Sequence, residues 1–238
     1  MDINHWPNSI LSAYISPLWQ IIFVWLIVLV IMRVKTVGVV FKNYNTLFHE
    51  LGHAVMSLLF SGQVHKIELN HNAGGVAVTS NKSWLAKFMV SIAGYPAGAI
   101  AGWSIFNHLQ FINPQYQLYI LFGTIAVSLL FWIRNKYGIV WSVLNLLFFA
   151  AIWYFNWFSV LKVFVFVMAS AVMTESLWSV LILIYISAED PQNSGDAKNL
   201  RDLTYLPSIV WAILLGFIAF YLFNLTLQSV IHWHIPIL

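Results

Sequence analysis

Long apolar runs, separated by short polar connections, dominate this sequence of 238 residues. Six runs are close to or longer than the roughly 20 residues that a helix needs to cross a bilayer. These runs cover residues 18–34, 84–106, 116–133, 139–155, 158–187 and 206–225. Only 8% of the side chains are charged and 61% are hydrophobic, so the chain cannot cover a water-facing surface. We therefore predict an all-α, multi-pass integral membrane protein, with residues 1–238 forming one membrane-embedded domain.

Composition also excludes several classes of function. The chain has no cysteine, so thiolate metal sites and a cysteine nucleophile are excluded. The formal net charge is +3, but the basic residues occur in short clusters between apolar runs rather than on one coherent face. Basic residues in such places usually set the orientation of membrane helices. We therefore predict a lipid bilayer as a partner and no nucleic acid, and we make no prediction of oligomeric state.

A shorter apolar run at residues 46–60 differs from the others because it carries two histidines and a glutamate, and a polar stretch follows at 61–83. If this region enters and leaves the membrane on one side, and the N-terminus is outside, only Lys162 of the 11 basic residues violates the positive-inside rule. We therefore predict about six full crossings plus a re-entrant helix at 44–60. The predicted location is a bacterial cell membrane, with the two histidines and the glutamate of this run nearer the cytoplasmic face.

The polar stretch contains the pattern of a β-hairpin at 64–80. Hydrophobic residues occupy every second position on either side of a turn rich in Asn and Gly. They are Ile67, Leu69, Val76 and Val78. Gly74 and Gly75 can supply positive φ at the turn. Strand backbone at membrane depth needs protein or a wet cavity to satisfy its polar groups, so the hairpin implies a cavity there. A ribbon in the headgroup region is the alternative.

Small residues recur along the run at 84–106. Gly94, Gly98 and Gly102 are four residues apart, which predicts a face that another helix can approach closely. Close packing inside the bundle is the main interpretation, and a lining role beside a substrate is the lesser one. In the run at 139–155, Asn145 is expected to bond across helices.

The motif His49-Glu50-Leu51-Gly52-His53 carries the chemistry. Residues four apart share one face of a helix, so both imidazoles can hold a single metal ion. Zinc lowers the pKa of a bound water to near 7, and Glu50 is placed to accept its proton. Two histidines and a glutamate inside hydrocarbon are costly without partners. We predict one Zn²⁺ per chain; the alternative is that both histidines only hydrogen-bond within the bundle.

The segment Phe48-His49-Glu50-Leu51-Gly52-His53-Ala54 resembles the first signature of the site-2 proteases, which are intramembrane zinc metallopeptidases, and most closely their compact B-like branch. The likeness continues in four later segments, in the family's order. They are Asn72-Ala73-Gly74-Gly75-Val76, Ala93-Gly94-Tyr95-Pro96-Ala97-Gly98, Trp132-Ile133-Arg134-Asn135, and Ser194-Gly195-Asp196-Ala197 with Leu203-Thr204-Tyr205-Leu206-Pro207. The resemblance implies a membrane-embedded protease with His49 and His53 as ligands, Glu50 as base and a late aspartate as third ligand.

Three residues are candidates for the third ligand that a catalytic zinc requires. Asp196, in the segment 189–204, matches the family's late Ser-Asp-Ala position, although Gly195 interrupts that pattern. Asp202 lies two turns further along the same predicted helix. Glu175 is the other acid deep in a span, where it could instead pair with Lys162 or a hydroxyl. For the two aspartates, the alternative is a solvated loop. The remaining histidines are expected to be interfacial or solvated; they are His5, His65, His71, His108, His232 and His234.

The predicted activity is hydrolysis of peptide bonds of membrane-protein or peptide substrates, within or beside the membrane. A substrate would lie as an extended strand against the hairpin and gain main-chain hydrogen bonds there. The predicted contact residues are Asn72, Gly74, Gly75 and Val76. The alternative is a zinc-binding scaffold without activity, or a metal transporter, although a transport route would need more polar residues inside the spans. Hydrolysis of a lipid or of another amide also stays open.

Overall fold

The computed structural model of the protein describes residues 18–108 and 113–232. This part of the chain contains eight α-helices and one two-stranded antiparallel sheet. The helices are α1 (Leu18–Ile31), α2 (Lys35–Leu59), α3 (Trp84–His108), α4 (Pro114–Phe131), α5 (Lys136–Tyr154), α6 (Phe158–Glu189), α7 (Asp196–Thr204) and α8 (Ser208–His232). The strands are β1 (Gln63–Leu69) and β2 (Gly75–Ser80), and a 3₁₀ turn at Pro191–Asn193 precedes α7.

Four of the described helices, α3, α5, α6 and α8, are long and apolar enough to cross a membrane. They coincide with four of the six predicted crossings, and they identify the chain as an integral membrane protein. The other two predicted crossings correspond to shorter helices. Helix α1 has 14 residues, and the apolar part of α4 covers Gln115–Phe131. The count of six crossings therefore stays a prediction.

Helix α2, which carries the His-Glu-x-x-His motif, is longer than the sequence predicted. It begins at Lys35 rather than at residue 44 and continues to Leu59. No proline interrupts this segment, and its polar side chains find partners inside the bundle, so nothing stops the helix earlier. His49 consequently lies about four turns from the start of the helix. The re-entrant course of this segment stays a prediction.

Five consecutive residues of α2, residues 42–46, have polar side chains. They lie just before the motif and project in all directions around the helix. The pairs they form are Lys42 with Glu175, Asn43 with Tyr137, Tyr44 with Asn145, Asn45 with Ser176, and Thr46 with the Ala73 carbonyl. Buried polar groups are tolerated when they are hydrogen-bonded in this way. We call residues 42–46 the polar ring; it joins α2 to α5, α6 and the hairpin. The expected bond of Asn145 across helices is confirmed.

The hairpin forms where the sequence predicted it, but its turn is built differently. The backbone N–H of Asn70 donates to the Gly74 carbonyl oxygen over 2.9 Å. The residue with positive φ in the turn is Ala73, at 62°, and neither Gly74 nor Gly75 has a positive φ. The prediction that these glycines supply the positive φ is therefore wrong.

Two valines of the hairpin lie on the face opposite to that of Ile67. Val76 pairs with Glu68 and Val78 with Lys66, so both valines point away from the face that buries Ile67. Gly75 and Ala77 occupy β2 on the buried face instead. Small residues are needed there because α2 passes close by: a Cβ at Gly75 would lie 2.5 Å from Cγ2 of Thr46.

The outer edge of β1 is occupied by residues 132–135. This segment is part of the family resemblance, but no role was predicted for it. The N–H of Ile67 donates to the Trp132 carbonyl over 2.7 Å, and the N–H of Arg134 donates to the Ile67 carbonyl over 3.2 Å. The Asn135 side chain bonds both the N–H and the carbonyl of Leu69. These bonds fix the hairpin against the start of α5.

Candidate metal centre

Helix α2 brings its two histidines to one point. His49 and His53 are one turn apart, and their Nε2 atoms lie 3.0 Å from each other. The ring centroids are 4.7 Å apart, with the planes at 83°. Both imidazoles thus present a nitrogen to the same small volume.

Asp196, the first residue of α7, completes this cluster from the opposite end of the chain. Its Oδ2 lies 3.3 Å from Nε2 of His49 and 3.3 Å from Nε2 of His53. Gly195 makes this approach possible, because its φ of 53° with ψ of −120° is a conformation that residues with a Cβ rarely adopt. The glycine that interrupts the sequence pattern is therefore the residue that turns the chain into α7.

The three donor atoms have the spacing expected around one metal ion. Zinc bonds of about 2.0–2.1 Å in a tetrahedron separate neighbouring ligand atoms by roughly 3.3 to 3.4 Å. The separations here are 3.0 and 3.3 Å, and all candidate ligand atoms of the group lie within 4.8 Å of one another. Two imidazoles and a carboxylate form a common ligand set for zinc. The residues present therefore fit a metal ion.

A hydrogen bond outside the cluster orients His53. Its Nδ1 lies 2.7 Å from the carbonyl oxygen of Val90 on α3. A carbonyl can only accept, so Nδ1 carries the hydrogen and, in the neutral ring, the lone pair remains on Nε2. His49 is held by packing, with its ring edge-on to Tyr95 at a centroid distance of 4.7 Å. Such supporting contacts keep metal ligands in the required geometry.

The charge of Asp196 is stabilised by its neighbours. Burial by itself raises the pKa of this carboxyl, but positive charge at His53 and hydrogen bonds from both imidazoles outweigh burial and leave the pKa below its ordinary value. Metal binding requires an ionised carboxylate. A bound divalent cation would also lower the pKa of this carboxyl.

Glu50 lies next to the first histidine and is buried, 5% exposed. The backbone N–H of Ala77 on β2 donates to its carboxylate. Gly75 allows the strand to come this close, because a Cβ there would lie 2.6 Å from Oε1 of Glu50. The hairpin thus positions the one acidic side chain that neighbours the two histidines in sequence.

A family model described as peptidase M50B-like matches residues 22–226, which include all of these residues. The chain belongs to the peptidase M50B-like family. This confirms the resemblance to the B branch of the site-2 proteases. Comparison with curated proteins and with solved structures gave no match. The family and the four apolar helices together identify a membrane metalloprotease in general terms.

In this M50B-like protein the cluster opens into a cavity of about 830 Å³. Of the four predicted substrate contacts, Gly75 and Val76 line the cavity. Asn72 and Gly74 lie in the turn instead, where the Gly74 N–H donates to Oδ1 of Asn72 over 3.0 Å. Several lining residues were not predicted from the sequence; they include Thr79, Ser80, Asn81, Lys87, Ser91 and Asn199. Helical spacing from Gly94 to Ser91 and Lys87 is the signal that could have identified two of them.

The structure places the other two ligand candidates elsewhere. Oε2 of Glu175 lies 3.6 Å from Nζ of Lys42, so Glu175 pairs with Lys42 rather than with Lys162 or a hydroxyl, the two alternatives to a ligand role. Asp202 is exposed, and hydrogen bonds from Arg201 and Lys198 lower its pKa. Neither acid is grouped with the two histidines.

The outlying histidines are described only in part. His65 and His71 are exposed, as expected. His5 and His234 lie outside the described residues, as do the side chains of His108 and His232.

Gly94 on α3 lies directly against the histidine pair. A Cβ there would lie 2.5 Å from Cε1 of His49 and 2.6 Å from Nε2 of His53. We expect Gly94→Ala to displace both rings and to lower zinc affinity by about 10- to 100-fold, the range for residues that support metal ligands. Competition titration with a chelating dye measures this. Gly123→Ala is the matched control, because a Cβ at Gly123 meets nothing within 4 Å. Equal affinity of both variants would contradict the expected crowding.

Proposed function

We propose that this M50B-like protein is a zinc endopeptidase that hydrolyses peptide bonds of membrane-protein substrates within or beside the bilayer. The supporting observation is the convergence of His49, His53 and Asp196 beside a buried glutamate on one cavity. We propose these three residues as the ligands of one Zn²⁺ per chain. Glu50 is proposed as the catalytic base.

The proposed roles follow from the chemistry of amide hydrolysis. Zinc, when bound, would lower the pKa of a water molecule and polarise a carbonyl group. Glu50 accepts the proton that the attacking water loses and delivers it to the departing amine. The Ala77 N–H holds the Glu50 carboxylate in place. Its burial limits access of bulk water to the proton.

The hairpin supports a binding mode for an extended substrate. The outer edge of β1 is already paired with residues 132–135, whereas β2 borders the cavity. A substrate strand added along β2 would pass Gly75 and Val76 and gain main-chain hydrogen bonds. An unwound segment is required, because a helix keeps its carbonyl groups bonded to its own backbone. Asn72 and Gly74 would contact a substrate that extends to the turn.

The same geometry predicts the effect of a methyl group at the hairpin. We expect Gly75→Ala to displace the Glu50 carboxylate and to lower kcat by about 10- to 100-fold, because small displacements of a catalytic group have effects of this size. Zinc content should not change. Gly123→Ala is the control, since a Cβ there meets nothing within 4 Å. A kcat of Gly75→Ala equal to the control would argue against this arrangement.

We propose that the site lies nearer the cytoplasmic face of a bacterial membrane. The end of α7 lies beside the start of α3, where Nε1 of Trp84 donates to the Leu203 carbonyl over 2.9 Å. The basic residues Lys82 and Arg201 belong to this end of the fold, in agreement with the positive-inside rule. Labelling of Lys82 by an impermeant reagent from outside intact cells would overturn this orientation.

One experiment separates the proposed activity from a zinc scaffold or a transporter. The purified protein in lipid nanodiscs is incubated with peptides that each contain one membrane-spanning segment, and new peptide termini are detected by mass spectrometry. Bound zinc is quantified in the same sample, and zinc flux is measured in liposomes. We expect stoichiometric zinc, cleavage that a chelator abolishes, and no flux. Bound zinc without cleavage of any segment would favour the scaffold, and flux would favour the transporter.

A further inference from the structure

A second cavity, separate from the metal centre, lies between α1, α2, α6 and α8 and has a volume of about 240 Å³. Its walls are largely apolar, with Leu29 and Met32 from α1 and the loop after it, Leu181 from α6 and Phe223 from α8. None of the proposed zinc ligands lines it. The proposed peptidase activity makes no use of this cavity.

Three charged residues share this cavity, and their charges do not cancel. Lys42 and Glu175 form an ion pair at 3.6 Å. Arg33 forms no ion pair within 4.0 Å among the described residues, although its charge also acts on Glu175, and its guanidinium lies 4.5 Å from the centre of the Trp178 ring. Two cations and one acid leave a surplus positive charge beside apolar walls. Arg33 is exposed, so its guanidinium can be reached by a ligand, and a surplus cation beside apolar walls favours an anionic one.

The position of Arg33 indicates where this ligand comes from. It follows directly after α1, an apolar helix of 14 residues whose length is roughly 21 Å. A cation at the end of an apolar membrane helix is expected at the level of the lipid headgroups. Beside it, α1 exposes the apolar side chains Leu26 and Val30, which are 54% and 67% exposed. Acyl chains can lie along these residues.

We propose that this cavity binds the headgroup of an anionic phospholipid, with the phosphate at Arg33 and Lys42 and the acyl chains along α1. Basic pockets between membrane helices commonly bind such headgroups. A free phosphate ion would leave the apolar walls unoccupied, so a lipid accounts for more of the lining. This proposal is independent of the peptidase activity.

Lipid binding measured on the intact protein tests the proposal. The protein is purified in detergent and stripped of lipid. Phosphatidylglycerol and phosphatidylcholine with identical chains are then titrated while bound lipid is counted by native mass spectrometry. Wild type should retain one phosphatidylglycerol in preference to phosphatidylcholine. Arg33→Gln should weaken phosphatidylglycerol binding by about fivefold, the effect of one basic residue near an anionic headgroup.

A second substitution, with the opposite expected effect on lipid binding, makes the test independent of folding defects. Among the described residues that line the cavity, Glu175 is the only acid. Glu175→Gln should therefore strengthen phosphatidylglycerol binding by about fivefold. A misfolded variant would not show such a gain. Lys82→Gln, at an exposed lysine outside the cavity, should leave binding unchanged. The proposal is overturned if both lipids bind equally, if Glu175→Gln binds no more tightly than wild type, or if inorganic phosphate displaces the lipid at equal concentration.

Discussion

Glu50→Gln is expected to reduce peptide-bond hydrolysis by about 10²- to 10⁴-fold, the contribution of a positioned general base. The amide has the shape of the carboxylate and can still accept the Ala77 N–H, so the packing around it should survive. It cannot take a proton from water. Cleavage is measured by single-turnover kinetics on a membrane-span peptide, and bound zinc is measured in the same preparation, where it should remain stoichiometric.

A matched control separates this effect from a general loss of carboxylate charge. Glu68→Gln changes a glutamate of β1 that pairs with Lys66 at 2.7 Å and does not line the cavity of the metal centre. It should cleave at the wild-type rate. If Glu50→Gln retained full activity with zinc bound, another residue would have to serve as the base, and the proposed mechanism would be wrong.

Asp196→Asn is expected to lower zinc affinity by more than about 100-fold, which is the upper end of the effect of residues that only support a ligand. The amide oxygen is a weaker ligand, and the negative charge between the two imidazoles is lost. Cleavage should fall together with zinc content. In Glu50→Gln, by contrast, activity is expected to fall while zinc content stays unchanged. Competition titration with a chelating dye and metal analysis after dialysis measure the loss.

Asp202→Asn is the control for the third ligand. It lies in the same short helix, but it is exposed and pairs with Lys198 and Arg201. Its zinc affinity should equal that of wild type. Full zinc retention by Asp196→Asn would show that the third ligand lies elsewhere in the chain.

The histidine pair could be predicted from the sequence because the relevant geometry is local. Residues i and i+4 meet on any α-helix, so His49 and His53 needed no knowledge of the rest of the fold. The position of Asp196 depends on a contact across almost 150 residues of chain and on the unusual backbone of Gly195. Sequence alone therefore left Glu175 and Asp202 as alternatives, although Asp196 is the acid that lies beside the histidines.

The errors at the hairpin and at α2 have a common physical cause. Alternation predicted both strands, but the approach of α2 decides which face of β2 must carry small residues, and these are Gly75 and Ala77 rather than Val76 and Val78. The early start of α2 at Lys35 depends on partners in α5 and α6 that satisfy its polar residues. In both cases a tertiary contact overrides the local pattern. The spans α3, α5, α6 and α8 were predictable because their length and apolar character are properties of each segment alone.

The polar ring has a consequence for how a substrate reaches the metal centre. Successive residues of a helix project about 100° apart, so contacts at 42–46 restrain α2 from all sides. Rotating or sliding it would break several buried hydrogen bonds at once, each costing about 1–3 kcal/mol when left unmade. Helix α2, which carries His49 and His53, is therefore held in a fixed position. Any displacement that accompanies substrate entry falls on the elements packed around α2 rather than on α2 itself.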